Sequence, residues 1–271
     1  MLQNADTSFP TKLAKWIDSR QAQGLYYFTR EEALKTIQIS DAAFKMAVSR
    51  LQKKRRIHRI SRGFYIIVPL EFNSTQILPA DWFIADLMAY TGRPYYVGLL
   101  TAAALHGAAH QQPQQFQVVT TGPLRKLQVK NLSIRFFSKK NLEVTPVVPI
   151  KVQTGFISVS TPEGTAVDLI RYARSIGGLD RVLTVLQELG ETIDRAKLLE
   201  SVKADGNLAY GQRLGWLLEK AGYPKLAKSL AEWVEKQKPL PARLDPSLPV
   251  RGAGKNARWQ LLINTDVESD L

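Results

Sequence analysis

The sequence predicts an α+β fold, in which an N-terminal winged helix-turn-helix precedes a larger α/β domain with a helical C-terminal part. Two observations predict this order. The first 70 residues contain three helical stretches followed by a β-hairpin, and short β-rich segments then give way to a long run of helices. We therefore divide the chain into a winged helix-turn-helix domain at 1–75, an α+β domain at 76–238 (mixed sheet region 76–160, helical region 161–238) and a Pro-rich linker with a C-terminal tail at 239–271.

Apolar spacing and N-cap residues predict three helices in the N-terminal module. The stretch 10–23 has apolar residues at i, i+3 and i+4, which is the spacing of a helix with one buried face. Thr29 and Glu32 form a capping box that predicts a second helix at 30–36. Ser40 is a favourable N-cap for a third helix that ends near Lys53. Its apolar face, predicted to pack inward, consists of Phe44, Ala47, Val48 and Leu51.

Positive charge is concentrated in this module. The chain carries 37 Lys and Arg against 24 Asp and Glu, a formal charge of +13. Residues 1–70 hold 13 basic and 5 acidic side chains, so a net +8 lies in about a quarter of the chain. A hairpin turn at 61–63 predicts a wing after the third helix. The run from Lys45 to Arg62 contains eight basic residues and no acidic one, which favours contact with a phosphate backbone.

The small, polar and basic face of the third helix is suited to a DNA major groove, and the wing to phosphates or a minor groove. The predicted DNA-binding residues are Lys45, Ser49, Arg50, Lys53, Lys54, Arg55, Arg56, Arg59 and Arg62. The alternative is that these charges only solvate an exposed helix and hairpin, or that the module contacts protein. A possible secondary basic surface consists of Arg125, Lys126, Lys130, Arg135, Lys139 and Lys140. It would extend the phosphate-contacting surface or form the solvent-facing side of a half-exposed sheet.

The remainder reads as strands followed by helices. Early helices are predicted at 79–90 and 98–107, and strands at 116–121, 132–138 and 155–160. Thr161 and Pro162 mark a strong helix start. Later helices are predicted at 163–174, 178–188, 194–202, 208–220 and 224–235. Four prolines and two glycines at 239–254 predict an extended linker, and 259–263 predicts a late strand.

The amino-acid composition excludes several classes of protein. The hydrophobic fraction of 45% and the charged fraction of 23% are typical of a folded soluble protein. The absence of Cys excludes disulfides, thiolate zinc sites and a Cys nucleophile. The longest apolar run, 95–109, is too short and too polar to span a bilayer, and the N-terminus lacks a signal-peptide pattern. We expect a cytoplasmic protein with no membrane partner.

Signatures of catalysis are weak. His106 and His110 are four residues apart, but the zincin Glu and a nearby third ligand are missing, so a structural or helix-end role is favoured. Asp168 and Glu163 lie on a capped helix, and we expect them to stabilise its N-terminal half through the helix dipole. We therefore predict no catalytic residue, no metal site, no cofactor and no enzymatic activity.

Four segments in this order resemble the AbiEi-type antitoxins of type IV toxin–antitoxin systems, over roughly residues 10–235. They are the wing end Arg62-Gly63-Phe64-Tyr65, the helix 98–107, the strand 117–120 and the element 160–169. The resemblance implies a transcriptional autorepressor that binds its own operon promoter, with a C-terminal domain that opposes a nucleotidyltransferase toxin in abortive infection, a phage defence. It does not imply a stable complex with the toxin. The DNA-binding role would fall on Lys45, Ser49, Arg50, Arg59 and Arg62.

Other functions stay open. A nucleic-acid-processing enzyme would use the winged helix for docking and would be sensitive to Asp168→Asn. A plain winged-helix regulator would lack antitoxin activity. An RNA-binding or scaffold protein would need stacking platforms on a sheet, and the only candidate pair, Phe136 and Phe137, points to opposite faces of one strand.

Overall fold

The computed structural model describes residues 11–72, 77–108 and 113–269. Over these residues the protein is a mixed α+β structure made of two compact units. Unit 1 comprises Met1–Arg93, Arg125–Ile134 and Lys151–Ile157. Unit 2 comprises Pro94–Leu124, Arg135–Ile150 and Ser158–Leu271.

Helices and a small sheet alternate in the first part of unit 1. The elements are α1 (Lys12–Ala22), β1 (Tyr27–Thr29), α2 (Arg30–Ile37), α3 (Asp41–Lys53), β2 (Ile57–Ser61), β3 (Phe64–Ile67) and, after two 3₁₀ turns, α4 (Ile84–Thr91). The predicted caps are confirmed: the Thr29 hydroxyl accepts from the Glu32 amide at 3.1 Å, and the Ser40 hydroxyl accepts from the Ala43 amide at 3.2 Å. Local hydrogen bonds therefore set the starts of α2 and α3.

The strands β1, β2 and β3 form an antiparallel sheet in the order β1-β3-β2. β1 was not predicted, because three residues are too few to show a period. The inner sides of the helices and sheet share one core, in which Phe28 stacks on Tyr65 and Phe44 meets the same ring edge-on. The predicted apolar face of α3 is buried there, namely Phe44, Ala47, Val48 and Leu51.

A second, six-stranded sheet has the order β6-β7-β5-β4-β9-β8. Its strands are β4 (Tyr95–Val97), β5 (Phe116–Thr120), β6 (Leu127–Val129), β7 (Leu132–Ser138), β8 (Val147–Val152) and β9 (Gly155–Ser160). The three predicted strands are present as β5, β7 and β9. β4 was missed because it directly precedes helix α5 (Leu99–Leu105) inside one continuous apolar run.

Unit 2 continues as a group of helices, as predicted. They are α6 (Pro162–Arg171), α7 (Ala173–Ile176), α8 (Gly178–Leu189), α9 (Arg195–Asp205), α10 (Leu208–Lys220) and α11 (Pro224–Gln237). The Thr161 hydroxyl accepts from the Gly164 amide at 3.2 Å and caps α6. α6 ends at Arg171 rather than continuing to 174, because the chain breaks there into the separate short helix α7.

The segment predicted as an extended linker is instead packed against the helices. It contains β10 (Ala242–Arg243) and leads to β11 (Gly254–Asn256) and β12 (Leu261–Ile263), which form a three-stranded sheet in the order β10-β12-β11. Leu244 and Trp259 are fully buried in the core of unit 2. The Gln212 side-chain amide of α10 donates to the Trp259 carbonyl at 2.9 Å. The prolines suggest an open chain, but widely spaced apolar side chains pull it onto the core.

Candidate nucleic-acid interface

Helix α3 turns its predicted contact residues to solvent. Lys45, Ser49 and Arg50 are exposed, whereas the four apolar residues of the same helix are buried. Lys53, Lys54 and Arg55 are exposed at and just beyond the end of the helix. One face of α3 therefore holds the core together, and the opposite face is open to a partner.

An acidic residue at the start of α3 neutralises part of the positive charge on this face. The Asp41 carboxylate pairs with Lys45 at 2.9 Å and with Arg30 at 2.5 Å. The hydrogen bonds from Lys45 and Arg30 lower the pKa of the Asp41 carboxyl below its usual value. Asp41 lies one turn before Lys45, just outside the run of eight basic residues that contains no acid. An incoming phosphate must therefore compete with Asp41 for the Lys45 ammonium.

Arg56 is the least available of the predicted contact residues. Its side chain is 28% exposed, and its guanidinium pairs with Asp18 of α1 at 2.6 Å. Its Nε is buried without a hydrogen-bond partner. Arg56 thus ties the end of α3 to α1, a role that the charge run alone could not reveal.

The β2–β3 hairpin carries two free cations. Arg59 on β2 and Arg62 in the turn are exposed, and over the described ranges neither forms an ion pair with a carboxylate. Gly63 follows Arg62 with φ of 81°, the left-handed conformation that the tight turn requires. The hairpin therefore presents two unneutralised guanidinium groups to solvent.

Tyr90 of α4 fixes the turn of this hairpin. Its hydroxyl donates to the Arg62 carbonyl at 2.9 Å, and its ring lies 5.4 Å from that of Phe64. A Cβ on Gly63 would come within 2.5 Å of the Tyr90 hydroxyl oxygen, so glycine is needed for space as well as for conformation. Sequence reasoning missed this role, because no local pattern connects residue 90 to residue 62.

A second hairpin of unit 1 lies beside the first. Lys126, the residue before β6, lines an open groove of roughly 550 Å³ that Arg59 and Arg62 also line. Arg125 and Lys130 are exposed on the same hairpin. All eight residues that line the groove belong to unit 1, and none is acidic. Half of the predicted secondary basic surface thus joins the first basic region within one compact unit.

The other half belongs to unit 2, and one of its members is not on the surface. Lys140 is exposed, and Arg135 is half-buried, with its guanidinium donating to the Ser175 carbonyl at 2.7 Å. Lys139 is only 5% exposed. The expectation that Lys139 is a surface cation is wrong, because its ammonium is buried against acidic partners.

Those partners form a buried polar cluster in unit 2. The Lys139 ammonium pairs with one Asp168 oxygen at 2.8 Å, and the Tyr96 hydroxyl donates to the other at 2.5 Å. Asp205 lies 3.6 Å from the Lys139 ammonium and 2.5 Å from the Arg171 guanidinium. Burial raises the pKa of the Asp168 carboxyl, and the charge of Lys139 opposes that rise. The cluster joins β4, β7 and helices α6 and α9.

The acidic residues of α6 therefore have tertiary roles. Asp168 is engaged on both oxygens, and Glu163 accepts from the Asp194 amide at 2.9 Å. The assignment of both to the helix dipole was incomplete, because each meets a partner distant in sequence. His106, the residue at the end of α5, places its Nε2 2.7 Å from the Ser160 carbonyl, in keeping with a helix-end role. His110 lies outside the described residues.

The described residues contain neither a candidate metal site nor a membrane-spanning helix. No group of three or more His, Asp or Glu side chains there is arranged to hold a metal ion. None of the helices in the described ranges has the length and apolar character needed to cross a membrane.

A solved structure has a similar fold. The crystal structure of the RV2827C protein from Mycobacterium tuberculosis has a similar fold, with a TM-score of 0.67 over 98% of this chain and 94% of that chain. The two sequences are 14% identical, so the likeness concerns the fold alone. Among curated proteins, none matches the chain.

Part of the sequence matches a known family. Residues 96–220 match the family described as the AbiEi antitoxin C-terminal domain. This region contains α5 through α10 and the buried Lys139–Asp168 cluster. The match supports the resemblance to AbiEi-type antitoxins.

Proposed function

We propose that this protein is a DNA-binding antitoxin. In this proposal it represses transcription from its own operon promoter and opposes a nucleotidyltransferase toxin in a type IV, abortive-infection system. Residues 1–75 are the DNA-binding domain, residues 76–238 act against the toxin, and the protein is not itself an enzyme. The observation that carries the DNA-binding half is the open basic face formed by α3 and the β2–β3 hairpin.

The order of elements supports a winged helix-turn-helix. Helix α2 leads through a short turn into α3, and a two-stranded antiparallel hairpin follows, with β1 completing the sheet. In such a module the second helix of the pair enters the major groove, and the hairpin lies along the backbone. We assign α3 as the recognition helix and β2–β3 as the wing.

Contacts with base edges and contacts with phosphates fall on different residues in this assignment. Lys45, Ser49 and Arg50 lie on the exposed face of α3 and would read bases. Arg59 and Arg62 on the wing would contact phosphates, as would the residues of the β6–β7 hairpin, Arg125, Lys126 and Lys130. The groove between the two hairpins would then hold one strand of the backbone.

The antitoxin half of the proposal is supported by the match of residues 96–220 to the AbiEi antitoxin C-terminal domain. Direct binding of the toxin is not required by the proposal. Both Asp168 oxygens accept hydrogen bonds within the buried cluster, which fits a structural role for this carboxylate.

DNA binding is tested by measuring the affinity of the protein for two duplexes over a salt series. One duplex comes from the region upstream of the protein's own gene, and the other is a scrambled duplex of equal length. We expect preference for the native duplex and a steep fall of affinity with salt, because phosphate contacts release counterions. Equal and weak binding of both duplexes would contradict sequence-specific repression.

Variants separate the two kinds of contact. Arg59→Ala and Arg62→Ala should weaken binding to both duplexes and reduce the salt slope by about one per lost phosphate contact. Lys45→Ala and Ser49→Ala should cost about 1–3 kcal/mol on the native duplex only. Arg195→Ala, an exposed arginine of unit 2, is the matched control and should bind as the parent does. The reverse pattern would mean that α3 is not the recognition helix.

Antitoxin activity is tested by co-expression with the neighbouring nucleotidyltransferase gene. We expect the full chain to restore growth. We also expect the Arg59→Ala/Arg62→Ala variant to restore it when both genes are driven from unrelated promoters, since that variant loses only DNA contacts. Failure of the full chain to rescue growth, with DNA binding intact, would leave a plain regulator.

A further inference from the structure

We propose that unit 2 binds a small phosphate-bearing anion in a cavity lined by three arginines. The cavity has a volume of about 280 Å³ and lies among α6, α7, the start of α8, α10 and the segment after β10. Arg171, Arg174 and Arg213 all contribute to its wall. The cavity lies wholly within unit 2, and neither the DNA-binding nor the antitoxin proposal uses it.

Arg213 is the residue that points to a ligand. It is only 9% exposed, and its Nε donates to the Arg243 carbonyl at 3.0 Å. Across the residues that the structure describes, no carboxylate forms an ion pair with it. A buried guanidinium without a counterion is costly, because desolvation is not repaid by a charge partner. Burial lowers the pKa of Arg213 below its usual value, and the nearby Asp245 carboxylate opposes that fall only in part. An anion in the cavity would supply the missing countercharge.

The charges around Arg213 favour an anion over a cation. Arg174 is exposed at the cavity and, among the described residues, has no ion pair, whereas Arg171 pairs with Asp205 at 2.5 Å. Asp245 is the one acidic residue in the wall, and one of its oxygens accepts from the Ser247 amide and hydroxyl at 2.7 Å each. With Arg171 neutralised by Asp205, the two guanidinium groups of Arg174 and Arg213 face one carboxylate, so an excess of positive charge is left. Guanidinium donors match the geometry of phosphate oxygens.

The rest of the wall suits a small organic group beside the phosphate. Ile170, Leu179 and Leu244 supply apolar surface, and Tyr210 supplies an aromatic ring 5.1 Å from the Arg171 guanidinium. A volume of about 280 Å³ lies near the lower end for small-molecule sites, which are roughly 300–1,000 Å³. The cavity therefore fits a free phosphate or a compact monophosphate such as a mononucleotide, and it is too small for a duplex.

Calorimetric titration of the full chain with three probes tests the proposal. The probes are adenosine monophosphate, inorganic phosphate and adenosine. We expect saturable binding of one equivalent of a phosphate-bearing probe and none of adenosine. Binding of both phosphates would identify the phosphate group as the recognised feature. Binding of the nucleotide alone would identify a nucleoside monophosphate. Adenosine binding as tightly as its monophosphate, or no binding of any probe, would overturn the proposal.

Variants locate the site and exclude diffuse attraction by a basic protein. Arg174→Ala and Arg213→Lys should each weaken binding by about tenfold or more, the value of a charged hydrogen bond. Arg195→Ala removes the same charge from an exposed position of unit 2 that does not line the cavity, and it should leave binding unchanged. Arg174 is exposed, so its variant is expected to fold even if Arg213→Lys does not. Equal affinity in Arg174→Ala and Arg195→Ala would overturn the assignment.

Discussion

Two arginines of the unit 1 hairpin and two basic residues of unit 2 differ in their exposure and partners. In unit 1, Arg59 and Arg62 point to solvent without an acidic partner in the described structure. In unit 2, Lys139 is buried and pairs with Asp168, and Arg213 is buried against a carbonyl. The number of basic residues in a stretch of sequence therefore does not locate a binding surface. A cation is available to a partner only where the fold leaves it exposed and unpaired.

The energetic consequences differ in the same way. Removing an exposed cation changes the stability of a fold little, because water already screens its charge. Removing one partner of a buried pair leaves an uncompensated charge in a medium of low dielectric constant. We therefore expect substitutions in the basic face of unit 1 to alter binding and substitutions in the buried cluster of unit 2 to alter folding.

The largest expected effect is that of Asp168→Asn. It removes the charge opposite the buried Lys139 ammonium and should lower the free energy of unfolding by about 3–5 kcal/mol. Urea unfolding followed by circular dichroism measures the loss. The control is Asp41→Asn, which breaks an exposed pair with Lys45 and should have a small effect at neutral pH. Equal stabilities of the two variants would break the comparison between the units.

The second-largest expected effect is that of adding a methyl group at a glycine that packs against a buried ring. A Cβ on Gly215 would lie 2.0 Å from the buried Trp259 ring, so Gly215→Ala should destabilise unit 2 by about 1–3 kcal/mol through overpacking. Gly254→Ala is the matched control, because nothing lies within 4 Å of its added Cβ. A loss in the first variant alone, measured by thermal unfolding, would show that the C-terminal segment is part of the folded core. No loss in either would contradict the packing of Trp259.

A smaller effect is expected for Tyr90→Phe. It removes the hydrogen bond to the Arg62 carbonyl while keeping the ring that packs on Phe64. DNA affinity should fall by less than in Arg62→Ala, by up to roughly tenfold, the net value of one hydrogen bond. The salt slope should not change, because no charge is lost. A reduced slope would mean that Tyr90 controls where the arginine points as well as how firmly the turn is held.

The smallest effect concerns pH. The pKa of Asp41 is lowered in the folded chain by its hydrogen bonds to Lys45 and Arg30, so its contribution to stability is present above the ordinary value of 3.8 and is lost as pH falls through the lower, folded value. The stability difference between the parent chain and Asp41→Asn should therefore be constant near neutral pH and shrink below pH 3.8. Urea titrations at several pH values measure it. A difference that grows at acid pH would contradict the pairing.

Features that depend on residues close together in the sequence were predicted correctly. The helix starts at Thr29, Ser40 and Thr161 were predicted correctly, because each cap is closed by an amide three residues away. The buried face of α3 was also predicted, since its spacing is local. The β2–β3 hairpin was predicted from the turn at 61–63. The assignment of DNA binding to these elements stays a prediction.

Interactions between distant residues could not be predicted in this way. Lys139 and Asp168 are 29 residues apart, and nothing in a basic run distinguishes a buried lysine from an exposed one. Gln212 and Trp259 are 47 residues apart, so the prolines of the C-terminal segment were the stronger local signal and suggested a linker. The part that Tyr90 plays in holding the wing turn is a further example.

The sequence by itself determined the order of elements, the helix caps, the apolar faces and the excess of positive charge, because each depends on neighbours within a few residues or on composition. Only the tertiary structure decided which of those charges reach solvent. It brought Lys126 beside Arg59 and Arg62, and it buried Lys139 and Arg213. The physical reason is that the availability of a charge depends on burial and on the nearest opposite charge, and both are set by chain segments that the fold brings together from far apart.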